Sequence, residues 1–228
     1  MIKSIKFILI TALLGSVLFA FTTQQKLQEG VATFDITFFE LSPEMKAAEA
    51  MLPKKIVVSF KNQNSRTEMQ SGMGSTVTIN NDKKKEFYIL MDMMGQKTAI
   101  KQTESELKKQ HEKSEFKDVK VTMLKETKTI AGYLCKKADI TYTHEGKSEK
   151  IECYFTDQLP PTAHSSSTAP GFDLITGFMM EYSMNMGGIK AKVSATKITN
   201  QKIDDSLFEI PKDYTISTLE ELEGMGQD

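Results

Sequence analysis

The strongest constraint on this chain is an alternation of apolar and polar residues in short runs, broken by turn residues roughly every ten positions, the pattern of an antiparallel sheet. From Gln28 to Glu40 the chain reads QEGVATFDITFFE, with Ala32, Phe34, Ile36 and Phe38 on one side of a strand and Thr33, Asp35 and Thr37 on the other. Ile56, Val58 and Phe60 alternate in the same way, and further strands are expected at 66–73, 76–80, 86–94 and 96–102. The second half adds 119–125, 133–143, 149–156, 177–186 and 189–200, the last two joined at Gly187-Gly188.

Helical signals are few. Ser42, Pro43 and Glu44 suit the start of a short helix that Pro53 stops. Thr103 and Glu106 form a capping box at the head of a polar helix, and Thr218 with Glu221 does so in the tail. The fold expected is mainly β with some α. It is a curved antiparallel sheet, or incomplete β-barrel, with two or three covering helices. Residues 24–228 form one domain, and the Pro/Ser/Thr-rich stretch 157–172 is a flexible loop.

The N-terminus reads MIKSIKFILITALLGSVLFAFTTQQ. Lys3 and Lys6 precede an uncharged run from Phe7 to Phe21, the order of a secretory signal peptide, with cleavage expected near 20–22. The run is short for a span of about 20 residues, so no transmembrane segment is expected after cleavage. No cysteine lies near the end of the run, so a lipid-modified N-terminal cysteine is not expected. A periplasmic or secreted location follows. Removing residues 1–20 leaves 27 basic against 30 acidic residues. That balance argues against a nucleic-acid partner, which favours a basic surface.

Cys135 and Cys153 are the only cysteines. If the hairpin between them is centred on His144, they face each other, and an oxidising compartment would join them as a disulfide staple. Free buried thiols are the alternative. His111, His144 and His164 are scattered through polar stretches, and no Cys/His spacing suggests zinc, so no metal or cofactor is expected. There is no G-x-S-x-G, H-E-x-x-H, P-loop or G-x-G-x-x-G, so the chain is not expected to be an enzyme.

Fourteen methionines are the unusual feature. Phe178, Met180, Tyr182, Met184 and Met186 share a face of one strand. Phe87, Ile89, Met91 and Met93 do so on another, as do Met69 and Met73 on a third. Packed core explains such faces, because methionine fills irregular gaps. A deformable pocket for a lipid, acyl chain or lipidated partner explains them too. The candidate lining is Phe178, Met180, Tyr182, Met184, Met91, Met93 and Phe87. A third reading is Cu(I) held by thioethers, for which Met184-Asn185-Met186 and Met91-Asp92-Met93 have the right look, although no His or Cys accompanies them.

Three stretches carry a family resemblance. They are KTIAGYLCKKADI from Lys128, YFTDQLPP around Thr156–Pro160, and SLFEIPKDYTI, whose motif runs from Leu207 to Tyr214. Together they resemble a bacterial family known as domain of unknown function 4412. The order of elements also looks like the lipoprotein-carrier (LolA-like) architecture, with a late Phe-x-x-Pro strand. That resemblance implies an open barrel holding acyl chains or other apolar ligands, and no catalytic residue. A true carrier holds its lid with a buried arginine. The only arginine here, Arg66, falls on the polar face of its strand, which puts dedicated lipoprotein trafficking in doubt. The expected function is an exported, non-catalytic binding protein for a hydrophobic ligand. The alternative is a structural or protein-interaction domain of the cell envelope, with an envelope protein as partner.

Overall fold

The computed structural model describes residues 26–41, 43–103, 105–107, 109, 116–161, 170–186 and 189–218. The expected signal segment, the tail helix beyond Thr218, His111, His164, the Gly187-Gly188 turn and the middle of the 157–172 loop lie outside them.

Among the described residues, twelve strands form one sheet. They are β1 (Glu29–Glu40), β2 (Lys55–Lys61), β3 (Asn64–Ser71), β4 (Gly74–Asn81), β5 (Glu86–Met93), β6 (Gln96–Thr103), β7 (Lys117–Ile130), β8 (Tyr133–His144), β9 (Lys147–Thr156), β10 (Phe178–Met186), β11 (Ile189–Asn200) and β12 (Thr215–Ser217). Their order is β12-β6-β5-β4-β3-β2-β1-β11-β10-β9-β8-β7. Every pairing among the described residues is antiparallel except β12 with β6, and the sheet they form does not close.

Short turns set the registers. Ala131-Gly132 between β7 and β8 and Glu145-Gly146 between β8 and β9 both have two residues at positive φ (47° and 87°, 50° and 73°). Such turns match the twist of the strands they join, and glycine takes the second position without strain.

The two faces are covered differently. On one, the core face, Phe34, Phe60 and Phe178 meet: Phe178 stacks on Phe34 with centroids 6.3 Å apart and meets Phe60 edge-on at 5.3 Å. Leu159, Phe172 and Ile175 close this core from outside the strands. Gly171 lies so close to Ile140 that an added Cβ would sit 2.7 Å from its Cγ2. The two shoulders of the 157–172 loop are therefore seated in the core, with Leu159 and Pro160 buried.

On the opposite face, Val77, Ile79, Tyr88, Leu90 and Ala99 form a second cluster, completed by Ile203 and Phe208. The segment from Ile203 to Tyr214 runs across it as a strap. Lys61 Nζ donates to the Ile203 carbonyl at 2.9 Å, and Arg66 Nη1 to that of Leu207 at 3.4 Å.

Three expectations need correction. Among the described residues, helices do not cover the sheet: α1 (Pro43–Ala47) has five residues, and Glu49–Met51 is a 3-10 turn with no buried residue. The Thr103–Glu106 capping box does form, with Thr103 N–H donating to Glu106 Oε2 at 2.7 Å, but it heads residues 105–107 and 109 on the surface. The Leu207–Tyr214 motif is strap, not strand. Asp204 caps a 3-10 turn at Asp205–Phe208 by accepting from Ser206 N–H at 2.8 Å, and the last strand comes only at Thr215.

The third correction concerns the cysteines, both of which are free and buried. The two-residue turn pairs His144 with Lys147, so Ala138, not Cys135, lies opposite Cys153. The expected register was three positions off, although both cysteines lie in the same core cluster. Cys153 Sγ donates to the Ala138 carbonyl at 3.2 Å and Cys135 Sγ to that of Tyr133 at 3.3 Å.

Candidate ligand-binding face

The core face is built of straight cross-strand rows. One row runs Ala195, Phe34, Ile56, Met69, Thr76, Met91, Thr98 from β11 to β6. The next runs Ala32, Val58, Thr67, Thr78, Ile89, Ile100. A third runs Gly30, Phe60, Ser65, Asn80, Phe87, Gln102.

Burial changes along these rows. Phe34, Ile56, Ala32 and Val58 are fully packed. Met69, Thr76, Met91, Thr98, Thr67, Thr78 and Ile89 are only half-buried. The third row is tight again, because Phe60, Ser65, Phe87 and Gln102 are buried. Past the first row, Met93 pairs with Gly74 at a still more open position. The face of β3–β6 therefore grades from a sealed end at Phe87 to an open end at Met93. It is lined by thioethers, the isoleucines Ile89 and Ile100 and threonine methyls, with threonine hydroxyls among its polar groups.

The expected pocket residues divide between two environments. Phe178, Met180 and Tyr182 lie in the close-packed core, and Tyr182 meets Phe172 edge-on at 5.1 Å. Burial pushes the Tyr182 phenol upward in pKa. A bulge in the β9–β10 pairing falls between Met179 and Glu181, so Met179 and Met180 are both buried and simple alternation fails there. Met184 is half-buried against the same core. Met91 and Met93 belong to the graded face on β5, four strands away from β1 and six from β10, and Phe87 seals its closed end. The two groups do not form one surface. Sequence reasoning singled out the faces of Met69 and Met91 but not the row that joins them through Thr76 to Thr98, because registers over three hairpins decide it.

Electrostatics concentrate on the other face. Glu181 accepts from Lys128 Nζ at 2.9 and 3.0 Å and from Ser194 Oγ at 2.8 Å. Burial opposes its ionisation, but the hydrogen bonds from Lys128 and Ser194 and the charges of Lys128 and Lys192 outweigh that and lower its pKa. Tyr154 lies beneath two ammonium groups, with Lys128 Nζ 5.3 Å and Lys137 Nζ 5.7 Å from its ring centroid, and donates to Glu126. Arg66 is on this face too, donating from Nε to Glu68 at 2.7 Å. Among the described residues, no group of three or more His, Cys, Asp or Glu could hold a metal, and no helix is long and apolar enough to cross a membrane.

This geometry defines a class: a single open, mainly antiparallel sheet, packed on one face and strapped on the other by its C-terminal segment. The chain belongs to the family described as a domain of unknown function (DUF4412), whose model matches residues 39–214. Its three motif stretches have structural roles. Ile130 and Cys135 are buried on either side of the Ala131-Gly132 turn, Thr156 and Leu159 are buried at the start of the loop, and Phe208 anchors the strap. The structure of PNGF-II in the P21 space group shares the fold, with a TM-score of 0.53 and 18% identity over 87% of this chain and 33% of that one. The chain thus spans about a third of that protein. LprF from Mycobacterium bovis is similar at a TM-score of 0.32, with 13% identity over 84% of this chain and 97% of that one. No curated protein matches in sequence.

Proposed function

We propose that this chain is an exported, non-catalytic protein that binds a hydrophobic ligand, a lipid or acyl chain, on the core face of β3–β6. The observation that carries the proposal is the half-buried row Met69, Thr76, Met91, Thr98 between a packed core and an open end. Half-buried thioethers re-pack around differently shaped apolar partners. Burial of the ligand supplies the affinity, at about 25 cal/mol per Å² of apolar surface. Arg66 is engaged on the strap face, so the lid arginine of a dedicated lipoprotein carrier has no counterpart on this face.

A second reading has its own support. Phe178, Met180 and Tyr182 are core, as expected of a structural or interaction domain of the envelope. Native mass spectrometry with solvent extraction, on protein purified from the exported fraction, separates the two. A reproducible extra mass that extracts into organic solvent is expected. A bare chain mass, even after incubation with fatty acids and phospholipids, would sink the ligand proposal and favour the structural one.

A further inference from the structure

We propose that the end of the sheet formed by the β3–β4 turn, β5 and the 3-10 turn before β2 is a site for a soft monovalent metal ion, Cu(I) or Ag(I), held by the thioethers of Met51, Met73 and Met93. These three come together through two glycines. Gly72 and Gly74 flank Met73 in the β3–β4 turn. Met51 sits on Gly72: the Gly72 N–H donates to the Met51 carbonyl at 3.0 Å, and an added Cβ at Gly72 would lie 3.0 Å from Met51 Cα and 3.4 Å from its Cγ. Met93 sits on Gly74, its cross-strand partner, and an added Cβ there would lie 3.0 Å from the Met93 sulfur. Two methionines are thus seated on the glycines that bracket the third.

None of the three serves the packing. Met51, Met73 and Met93 are 46%, 55% and 42% exposed and belong to neither core cluster. Isolated exposed apolar residues are ordinary, but three flexible methionines gathered at one turn offer a set of soft donors. Neutral sulfur ligands select Cu(I) and its analogues over hard or borderline ions. The nearby carboxylate of Asp92 is engaged, accepting from Gly95 N–H at 3.2 Å, with Lys97 Nζ 4.0 Å away. The strand pairs Met91-x-Met93 and Met184-x-Met186 differ from this cluster, since Met91 and Met184 are half-buried against strand neighbours. Binding here is simple coordination by sulfur lone pairs, with no electron transfer.

The test is titration of the full chain with silver nitrate in chloride-free buffer, read by native mass spectrometry and by the methionine methyl NMR signals. One Ag(I) per chain is expected, with shifts confined to Met51, Met73 and Met93. The triple change Met51→Leu, Met73→Leu, Met93→Leu keeps apolar volume and removes only sulfur, so it is expected to weaken binding on the order of 100-fold. Met123→Leu, an exposed methionine on β7, is expected to change nothing. A native chain that takes up no Ag(I), shifts spread over all exposed methionines, or a triple variant that binds as tightly as the native chain would each overturn the proposal.

Discussion

Asn81 Nδ2 donates to the carbonyl of Phe208 at 3.0 Å, a buried hydrogen bond between residues 127 positions apart. Beside it, Asn81 Oδ1 accepts from Lys84 N–H at 3.2 Å, so one side chain joins the β4–β5 turn to the strap. The Phe208 ring, fully buried, fills the second core cluster. Phe208→Ala is expected to destabilise the chain by about 3–5 kcal/mol. Asn81→Ala, which leaves the Phe208 carbonyl unpaired, is expected to cost about 1–3 kcal/mol. Leu207→Ala, at the exposed neighbour, should fall within about 0.5 kcal/mol of the native chain. Urea denaturation measures all three, and a Phe208→Ala chain as stable as the native one would show that the strap is not part of the fold's stability.

Glu181 supplies an acid-side prediction. Its folded pKa is lowered, so its contribution is fully present above the unfolded carboxylate value of about 4.3 and is lost as pH falls through the folded value. The stability gap between the native chain and Glu181→Gln should therefore be constant from neutral pH to about pH 5 and narrow below about pH 4. Denaturation at a series of pH values checks this. A gap that widens on acidification would reverse the sign.

The thiols give a third prediction. Burial pushes Cys153 up to about 12 and Cys135 up to about 11, so neither forms appreciable thiolate near neutrality. Thiolate is the reactive form. A thiol reagent at pH 8 is expected to leave both untouched in the native chain and to label two thiols in denaturant. A purified chain two hydrogens lighter in mass, with no reactive thiol after unfolding, would mean that the cysteines pair in spite of their register.

Methionine to aspartate changes distinguish core from binding face. Met180 is fully buried, so Met180→Asp should unfold the chain, because an unpaired buried charge costs several kcal/mol. Met91 is half-buried, and Met91→Asp should keep the far-ultraviolet circular dichroism of the native chain and lose ligand. With a fatty-acid series, each added methylene contributes about 0.8 kcal/mol, so Kd should fall roughly fourfold per carbon until the face is filled. Affinity that ignores chain length would point away from burial on this face.

The strands were legible because their alternation needs only local sequence. Ala32, Phe34, Val58 and Phe60 point where period two puts them. Registers were less legible, because they depend on turn geometry. Reading the β8–β9 turn as centred on His144, when Glu145 and Gly146 are its two central residues, displaced Cys135 by three positions. The bulge beside Met180 likewise turned an even alternation into consecutive buried methionines. The strap was hidden for another reason. Ile203, Phe208 and Tyr214 follow no strand or helix period, and only contact with a face more than a hundred residues earlier gives them a role. The half-buried row from Met69 to Thr98 required three registers at once, so Met69 and Met91 stood out only as faces of their own strands, and Thr76 and Thr98 did not stand out.

The parallel pairing of Thr215–Ser217 with Thr98–Ile100 bears on proteolysis. These three residues cover the outer backbone edge of β6, the end of the sheet opposite β7. β7 guards its own edge with Lys117, Lys120, Lys125 and Lys128 and two register shifts, whereas β6 relies on a short segment near the C-terminus. A protease that trims the chain back to Pro211 would bare the amides and carbonyls of β6 and turn a self-contained molecule into a template for filament growth. Size-exclusion chromatography of that truncated chain would show the change as a shift to higher mass.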